Sequence, residues 1–145
     1  MSVEEQVLQE LSTLSSAVSG VEGCMVATSD GLLVSHIMPG LEQTQVAALV
    51  STMTALARQA VLITGRGDLL EAAIRGTDGY LAVYAVGEGA VLAILGRPTL
   101  NIALLQLRTR PVVTRLEAIA ANFTRFSSGP VLADHVDHLL QESGR

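Results

Sequence analysis

Residues Leu69 to Arg97 read LLEAAIRGTDGYLAVYAVGEGAVLAILGR, and their pattern indicates how most of the sheet is built. Two turns that contain glycine, Thr77–Gly79 and Gly87–Gly89, divide it into three apolar runs. These runs predict three strands joined by hairpins: Leu69–Arg75, Tyr80–Val86 and Ala90–Arg97. Hairpin connections make neighbouring strands antiparallel. The last two strands are apolar at nearly every position, which indicates a sheet covered on both faces.

A further hairpin precedes this meander. Asp30-Gly31 stands between the apolar runs Val21–Thr28 and Leu32–Ile37, and such a pair is a strong hairpin signal. Helical periodicity surrounds these strands: a first helix between a Ser2 to Glu5 capping box and Gly20, and a second over Leu41–Thr64. The third helix is predicted over Thr99–Phe126, with a kink or a break at Pro111.

The resulting order, α-β-β-α-β-β-β-α, predicts an α/β (α+β) fold arranged as a three-layer sandwich. A five-stranded, mainly antiparallel sheet would carry the second helix on one face and the first and third helices on the other. Charge supports this pairing, because the first helix is acidic while the third carries Arg108, Arg110 and Arg115. We therefore expect these two helices to lie side by side.

Composition excludes several classes of function. The chain has 145 residues, nine basic residues that are all Arg, and a net charge of −5. Without Lys there is no P-loop lysine and no Schiff-base lysine. Net acidity and an aromatic content of 3% disfavour nucleic acid as a partner. No signal-peptide pattern opens the sequence. The most hydrophobic long stretch, Val46–Ile63, is interrupted by Ser, Thr, Arg58 and Gln59 and is too polar for a confident membrane span, so we expect a cytoplasmic protein.

Candidates for chemistry are sparse. Cys24, the single cysteine, lies in an apolar strand and is expected to be a buried, inert thiol. His36 has no companion acid that would suggest a triad. Asp134, His135, Asp137 and His138 have metal-ligand side chains, but they lack defined third and fourth ligands. The sequence therefore predicts no catalytic residue, no cofactor and no metal.

The second helix is unusual because no charged residue lies between Glu42 and Arg58. Its inner stripe is predicted to contain Val46, Leu49, Val50, Met53, Leu56, Ala60 and Val61. Ala47, Ser51 and Ala55 form a row of small side chains that would let another helix approach closely. One alternative is a neutral face exposed to solvent; the other is a helix covered by its own sheet on one side and by a partner on the other.

The third strand is expected at an edge of the sheet, because it begins the meander. A free edge exposes unpaired backbone groups unless a second chain completes it. A symmetric dimer would pair this strand and the second helix with their copies in one interface. The predicted interface residues are Ala47, Ser51, Ala55, Leu69, Glu71, Ala73 and Arg75.

Two stretches resemble a known family. Val21 to Val34 (VEGCMVATSDGLLV) resembles the opening hairpin of roadblock domains of the dynein light chain type. Leu92–Leu95, followed by LNIALLQLR over Leu100–Arg108, is similar to that family's last strand and the Asn-containing start of its third helix. The resemblance covers roughly residues 3–126. It implies a non-catalytic homodimer with a continuous sheet that regulates a Ras-like small GTPase, in a bacterial signalling or motility complex.

Two alternatives remain open at the level of sequence. One is a small-molecule sensor domain of the PAS or GAF kind, although such domains usually insert more than one helix between their second and third strands. The other is a structural light chain of a larger assembly. In either case residues 1–126 are predicted to form the domain, and residues 127–145 a tail that contains a short amphipathic helix.

Overall fold

The element order predicted from the sequence is confirmed. A computed structural model describes residues 1–38 and 40–127, with side chains described as far as residue 121. Its helices are α1 (Val3–Ala17), α2 (Gln43–Ile63) and α3 (Ile102–Ser127). Its strands are β1 (Val21–Thr28), β2 (Leu33–Ile37), β3 (Glu71–Gly76), β4 (Gly79–Val86) and β5 (Ala90–Gly96). The tail was predicted over residues 127–145; its first residue, Ser127, is the last residue of α3, and the rest lies outside the described residues.

The five strands form one antiparallel sheet in the order β2-β1-β5-β4-β3. The N-terminal hairpin and the C-terminal meander meet where β1 pairs with β5, for example at Cys24 opposite Ile94. Among the strands that the structure describes, β2 and β3 are the two edges. The edge position expected for β3 is therefore confirmed.

Both faces of the sheet are covered, as the continuous apolar strands predict. On one face, Cys24, Leu92 and Ile94 form a core cluster with residues of α1 and α3. On the other face, Met25 and Ala93 form a second cluster with residues of α2. Side chains alternate between the two clusters along each central strand because successive residues of a strand point to opposite faces.

The expected contact between α1 and α3 is present and includes an ion pair. Nε of Arg115 lies 2.7 Å from Oε2 of Glu10. The Arg115 side chain is 49% exposed, so this pair contributes roughly 0–1 kcal/mol to stability. The two helices are therefore held mainly by buried apolar residues such as Leu11, Leu14 and Leu116.

The helix starts and the β3–β4 turn lie at the residues from which the sequence predicts them. The Ser2 side chain accepts a hydrogen bond from the Glu5 N–H at 3.2 Å, and Asn101 Oδ1 accepts one from the Leu104 N–H at 3.0 Å. Gly79 closes the β3–β4 hairpin with a φ of +155°. A Cβ atom there would lie 2.5 Å from the backbone oxygen of Gly96, so this hairpin requires glycine.

The break expected as one outcome at Pro111 is absent, because α3 is continuous from Ile102 to Ser127. Proline lacks an N–H and therefore removes one hydrogen bond of the helix. Its ring is exposed, while the neighbouring Val112 and Leu116 are each 2% exposed and belong to the core cluster. Packing of these residues on the sheet holds the helix together across the missing bond.

Candidate interaction surface

The outward side of α2 is apolar rather than charged. Three of its large aliphatic side chains share this side at spacings of seven residues and are mostly exposed: Leu49 (59%), Leu56 (66%) and Ile63 (79%). The neutral stretch ends at Arg58, whose guanidinium donates a hydrogen bond of 2.6 Å to the carbonyl of Gly87. A helix that covers a sheet normally presents polar residues to water, so this face is an exposed apolar patch.

The inner side of α2 differs from the prediction. Ala47, Val50, Ser51 and Thr54 are the residues buried against the sheet. Leu49, Leu56 and Ala60 were predicted for the inner stripe, and they are exposed instead. The reason is spacing: positions 47, 50, 51 and 54 share one helix face, and their small side chains let α2 lie close to the strands.

The predicted row of small residues is therefore wrong for two of its three members. Ala47 is fully buried, and the Ser51 hydroxyl lies 2.8 Å from the Thr28 carbonyl and 2.9 Å from the Ala47 carbonyl. These two side chains belong to the protomer's own core and cannot meet a partner. Ala55 is exposed beside Leu56, so its place in an interface stays a prediction.

By length and composition, α2 is also apolar enough to cross a membrane. The mean hydropathy of its most apolar 18-residue window is 1.6, and 22% of that window is buried. The buried part packs on the sheet through residues such as Ala47 and Val50. Apolar residues therefore lie both on the side of α2 that packs on the sheet and on the side that faces away from it.

The edge strand β3 continues this uncovered region. Ile74 is 50% exposed and Leu70, just before the strand, is 59% exposed. The elements packed under α2 include β1, β2, β4 and β5, and β3 lies beyond them at the edge. We call the outward side chains of α2 together with the free edge of β3 the α2–β3 surface.

The predicted interface residues of this strand fall into two groups. Leu69 precedes β3 and is only 8% exposed, so its assignment to an interface strand is wrong: the strand begins at Glu71 and Leu69 packs inside the protomer. Glu71 is half-buried, whereas Ala73 and Arg75 are exposed. Their role at an interface stays a prediction.

A cleft with charged walls lies beside the start of β3. It has a volume of about 570 Å³, and its walls carry both acids and bases: Arg58, Asp68, Glu71, Glu88, Arg110 and Glu117. Burial raises the pKa of Tyr84, which also lines the cleft, and the nearby Glu71 carboxylate raises it further. The Thr109 side chain and Arg110 oppose this shift. Walls of mixed charge do not define one class of ligand.

The candidates for chemistry occupy isolated positions. Burial raises the pKa of the Cys24 thiol from 9.0 to about 11, so this group stays protonated near neutral pH. His36 lies on β2, where its Nδ1 is buried and has no hydrogen-bond partner among the described residues. Within residues 1–38 and 40–127, no group of three His, Cys, Asp or Glu side chains could hold a metal. The Asp134–His138 cluster falls outside the described part of the chain.

The chain belongs to the Roadblock/LC7 domain family, whose characteristic sequence it matches over residues 7–96. This confirms the resemblance carried by the first hairpin and the last strand. The family match, the antiparallel five-stranded sheet and the three helices define the same class of protein.

Three known proteins show the extent of this similarity. A Roadblock/LC7 domain structure from Streptomyces avermitilis is 25% identical with a TM-score of 0.71, covering 78% of this chain and 96% of that one. The gliding protein mglB from Thermus thermophilus shares the fold at 17% identity and a TM-score of 0.75, covering 84% and 93%. The uncharacterised protein MJ0310 of Methanocaldococcus jannaschii is 27% identical over 116 residues, or 79% of this chain and 97% of its own length.

Proposed function

We propose that this chain is a homodimeric, non-catalytic regulator of a Ras-like small GTPase and that its protomers meet through the α2–β3 surface. The observation that carries the dimer is the outward face of α2, where Leu49, Leu56 and Ile63 are more than half exposed. Removing such a side chain from water contributes about 1.5–3 kcal/mol. In a symmetric dimer each of these residues contributes twice.

The sheet edge supports the same arrangement. Within the described residues β3 has no neighbouring strand on its outer side, and it lies beyond the strands on which α2 packs. Pairing of two β3 strands would satisfy the exposed backbone groups, and the same two-fold axis would bring the α2 helices together. A single contact would then cover both parts of the α2–β3 surface.

The dimer is tested by placing a charge on α2. Leu56→Arg is expected to give monomers at about 20 μM, where the wild type is a dimer, because a guanidinium would replace an apolar side chain in the contact. Leu107→Arg on α3 is the matched control, since Leu107 is 64% exposed against 66% for Leu56. Light scattering measures the mass. A monomeric wild type, or equal loss of dimer in both variants, contradicts the proposed interface.

A Ras-like GTPase is the partner that membership of the Roadblock/LC7 family favours, since the family resemblance implies that association. The sequence contains no Lys, so the chain has no P-loop lysine of its own with which to bind nucleotide phosphates. Nucleotide chemistry would therefore lie in the partner, and this chain would act by positioning the partner's loops. We place this complex in the cytoplasm, in a signalling role.

Binding to the GTPase is tested with nucleotide-loaded partners. Each Ras-like GTPase of the host organism is purified, loaded with GDP or with a non-hydrolysable GTP analogue, and titrated with this protein. We expect binding of at least one GTPase, with an affinity that depends on the nucleotide. Equal affinity for both states, or no binding, contradicts a regulatory role. Turnover of GTP by this chain alone contradicts the non-catalytic role.

A further inference from the structure

The backbone groups of β3 that face the free edge can be identified from one hydrogen bond. The carbonyl of Leu70 accepts a bond of 3.2 Å from the N–H of Ala85 on β4, so the backbone of Leu70 faces inward. In an antiparallel pair this direction alternates along the strand. The N–H and C=O groups of Glu71, Ala73 and Arg75 therefore point outward, where a further strand can bind them.

The side chains of the same three residues share one face of the sheet. They lie opposite Tyr84, Ala82 and Tyr80 of β4, which belong to or pack against the cluster that α1 and α3 cover. Ala72 and Ile74 point to the other face, toward the α2 side. The free edge thus presents an acid, a small residue and a base in one row, with apolar residues on the opposite face.

Only one symmetric register pairs these charges favourably. When the two-fold axis passes through Ala73, Glu71 lies opposite the partner's Arg75 and Ala73 opposite the partner's Ala73. An axis through Glu71 or Arg75 places two like charges opposite each other, which destabilises a cross-strand pair. An axis through Ala72 or Ile74 leaves both charges without an opposite charge across the ladder.

We propose that β3 selects a second copy of this chain through this row: Glu71 and the partner's Arg75 form two symmetric ion pairs about an axis at Ala73. This inference rests on the proposed dimer and adds its register and its specificity. A strand from another protein would need a base and an acid at the same spacing to replace the copy. The charge row therefore favours homodimers over mixed dimers.

Both charged groups are available for such pairs in the protomer. The Arg75 guanidinium lies 5.8 Å from the centre of the Tyr80 ring, and Glu71 accepts a hydrogen bond of 3.3 Å from the Gln106 amide. Among the side chains that the structure describes, neither residue has an ion-pair partner. Tyr80 and Gln106 thus hold the two groups near the edge without neutralising them.

Charge exchange tests the pairing. Glu71→Arg and Arg75→Glu each place like charges across the ladder, and each variant alone is expected to dimerise about 10- to 100-fold more weakly than the wild type. An equimolar mixture of the two variants restores opposite charges and should form a heterodimer of near wild-type affinity. Sedimentation equilibrium measures the affinities, and circular dichroism establishes that each variant is folded.

The outcomes separate this inference from the proposed dimer. A monomeric wild type refutes both. Single variants that dimerise as tightly as the wild type, or a mixture that gains nothing over them, refute the charge pairing and leave the dimer standing. A tight mixture with weak single variants supports it.

Cysteine cross-linking tests the register directly. In a hydrogen-bonded antiparallel pair the Cα atoms are about 5.5 Å apart, a separation that a disulfide can bridge. Ala73→Cys is therefore expected to cross-link to its copy under mild oxidation, and faster than Glu71→Cys or Arg75→Cys. The native Cys24 is fully buried and does not compete. Faster cross-linking at residue 71 or 75 overturns the register.

Discussion

Two arginine substitutions four residues apart on α2 should affect different properties. Ser51→Arg should destabilise the folded protomer, whereas Ala55→Arg should weaken the dimer and leave the protomer stable. Ser51 is 5% exposed, and its hydroxyl donates to the carbonyl of Thr28 on β1. Ser51→Arg removes this hydrogen bond, which lowers the free energy of unfolding by about 1 kcal/mol. The larger side chain also overfills the space between helix and sheet, which costs about 1–3 kcal/mol more. The buried guanidinium cannot lose its proton, which adds to the cost. We expect a total loss of about 4 kcal/mol.

Ala55→Arg changes an exposed position on the same helix. Arg is nearly as good a helix former as Ala, so the stability of the monomer should change by less than about 0.5 kcal/mol. The dimer, however, should dissociate because the new charge lies within the α2–β3 surface. The two variants therefore separate residues that hold the protomer together from residues that hold the dimer together.

Thermal unfolding and light scattering together distinguish these outcomes. For a chain of this size 1 kcal/mol shifts the midpoint by about 2–4 °C, so Ser51→Arg should lower it by roughly 8–16 °C. Ser51→Ala is the control and should cost about 1 kcal/mol, since the Thr28 carbonyl keeps its bond from the Gly31 N–H at 3.0 Å. Scans at several protein concentrations separate dissociation from unfolding. A Ser51→Arg protein with the wild-type midpoint would refute the inward orientation of Ser51.

Two further predictions concern the protomer. Gly79→Ala should lower the free energy of unfolding in urea by more than about 2 kcal/mol, because a Cβ atom would lie 2.5 Å from the Gly96 oxygen. Gly76→Ala, with 3.6 Å to its nearest neighbour, is the control and should cost less; equal losses would contradict the clash. Folding raises the pKa of Cys24 from 9.0 to about 11, so the folded state holds the thiol proton more tightly than the unfolded chain. The resulting contribution to the free energy of unfolding is complete below pH 9. It is lost as the pH rises from 9 to 11, by about 3 kcal/mol. Cys24→Ala should flatten this decline in the free energy of unfolding, and an unchanged slope would contradict the shift.

The strands could be predicted from sequence because glycine residues mark the turns between them. Gly31, Gly79 and Gly87 adopt positive φ values at or beside the turns, so the residues that mark the hairpins are the ones the backbone requires. The covered faces of the sheet were equally predictable, since β5 contains no polar side chain. The placement of α1 beside α3 followed from opposite charges, and the Glu10–Arg115 pair confirms it.

The orientation of α2 could not be predicted in the same way. A helix with charged residues on one side shows which side faces water, but α2 carries no charge between Glu42 and Arg58. Buried hydroxyls made the pattern more ambiguous: Ser51 donates to the Thr28 carbonyl and Thr54 to the Val50 carbonyl, so both can face the core with their hydroxyl groups satisfied. The larger Leu side chains were assigned inward on hydrophobicity, whereas close packing on the sheet selected the smaller residues.

The strand order also has a consequence for the newly made chain. The central ladder joins β1 to β5, and the chain from Ser29 to Gly89 is translated between them. At about 5–20 residues per second, β1 can pair with β2 soon after it leaves the ribosome but waits several seconds for β5. During that interval α2 has neither β4 nor β5 beneath it, and both its sides are apolar. The nascent chain therefore passes through a stage in which the apolar sides of this helix are open to chaperones and to aggregation.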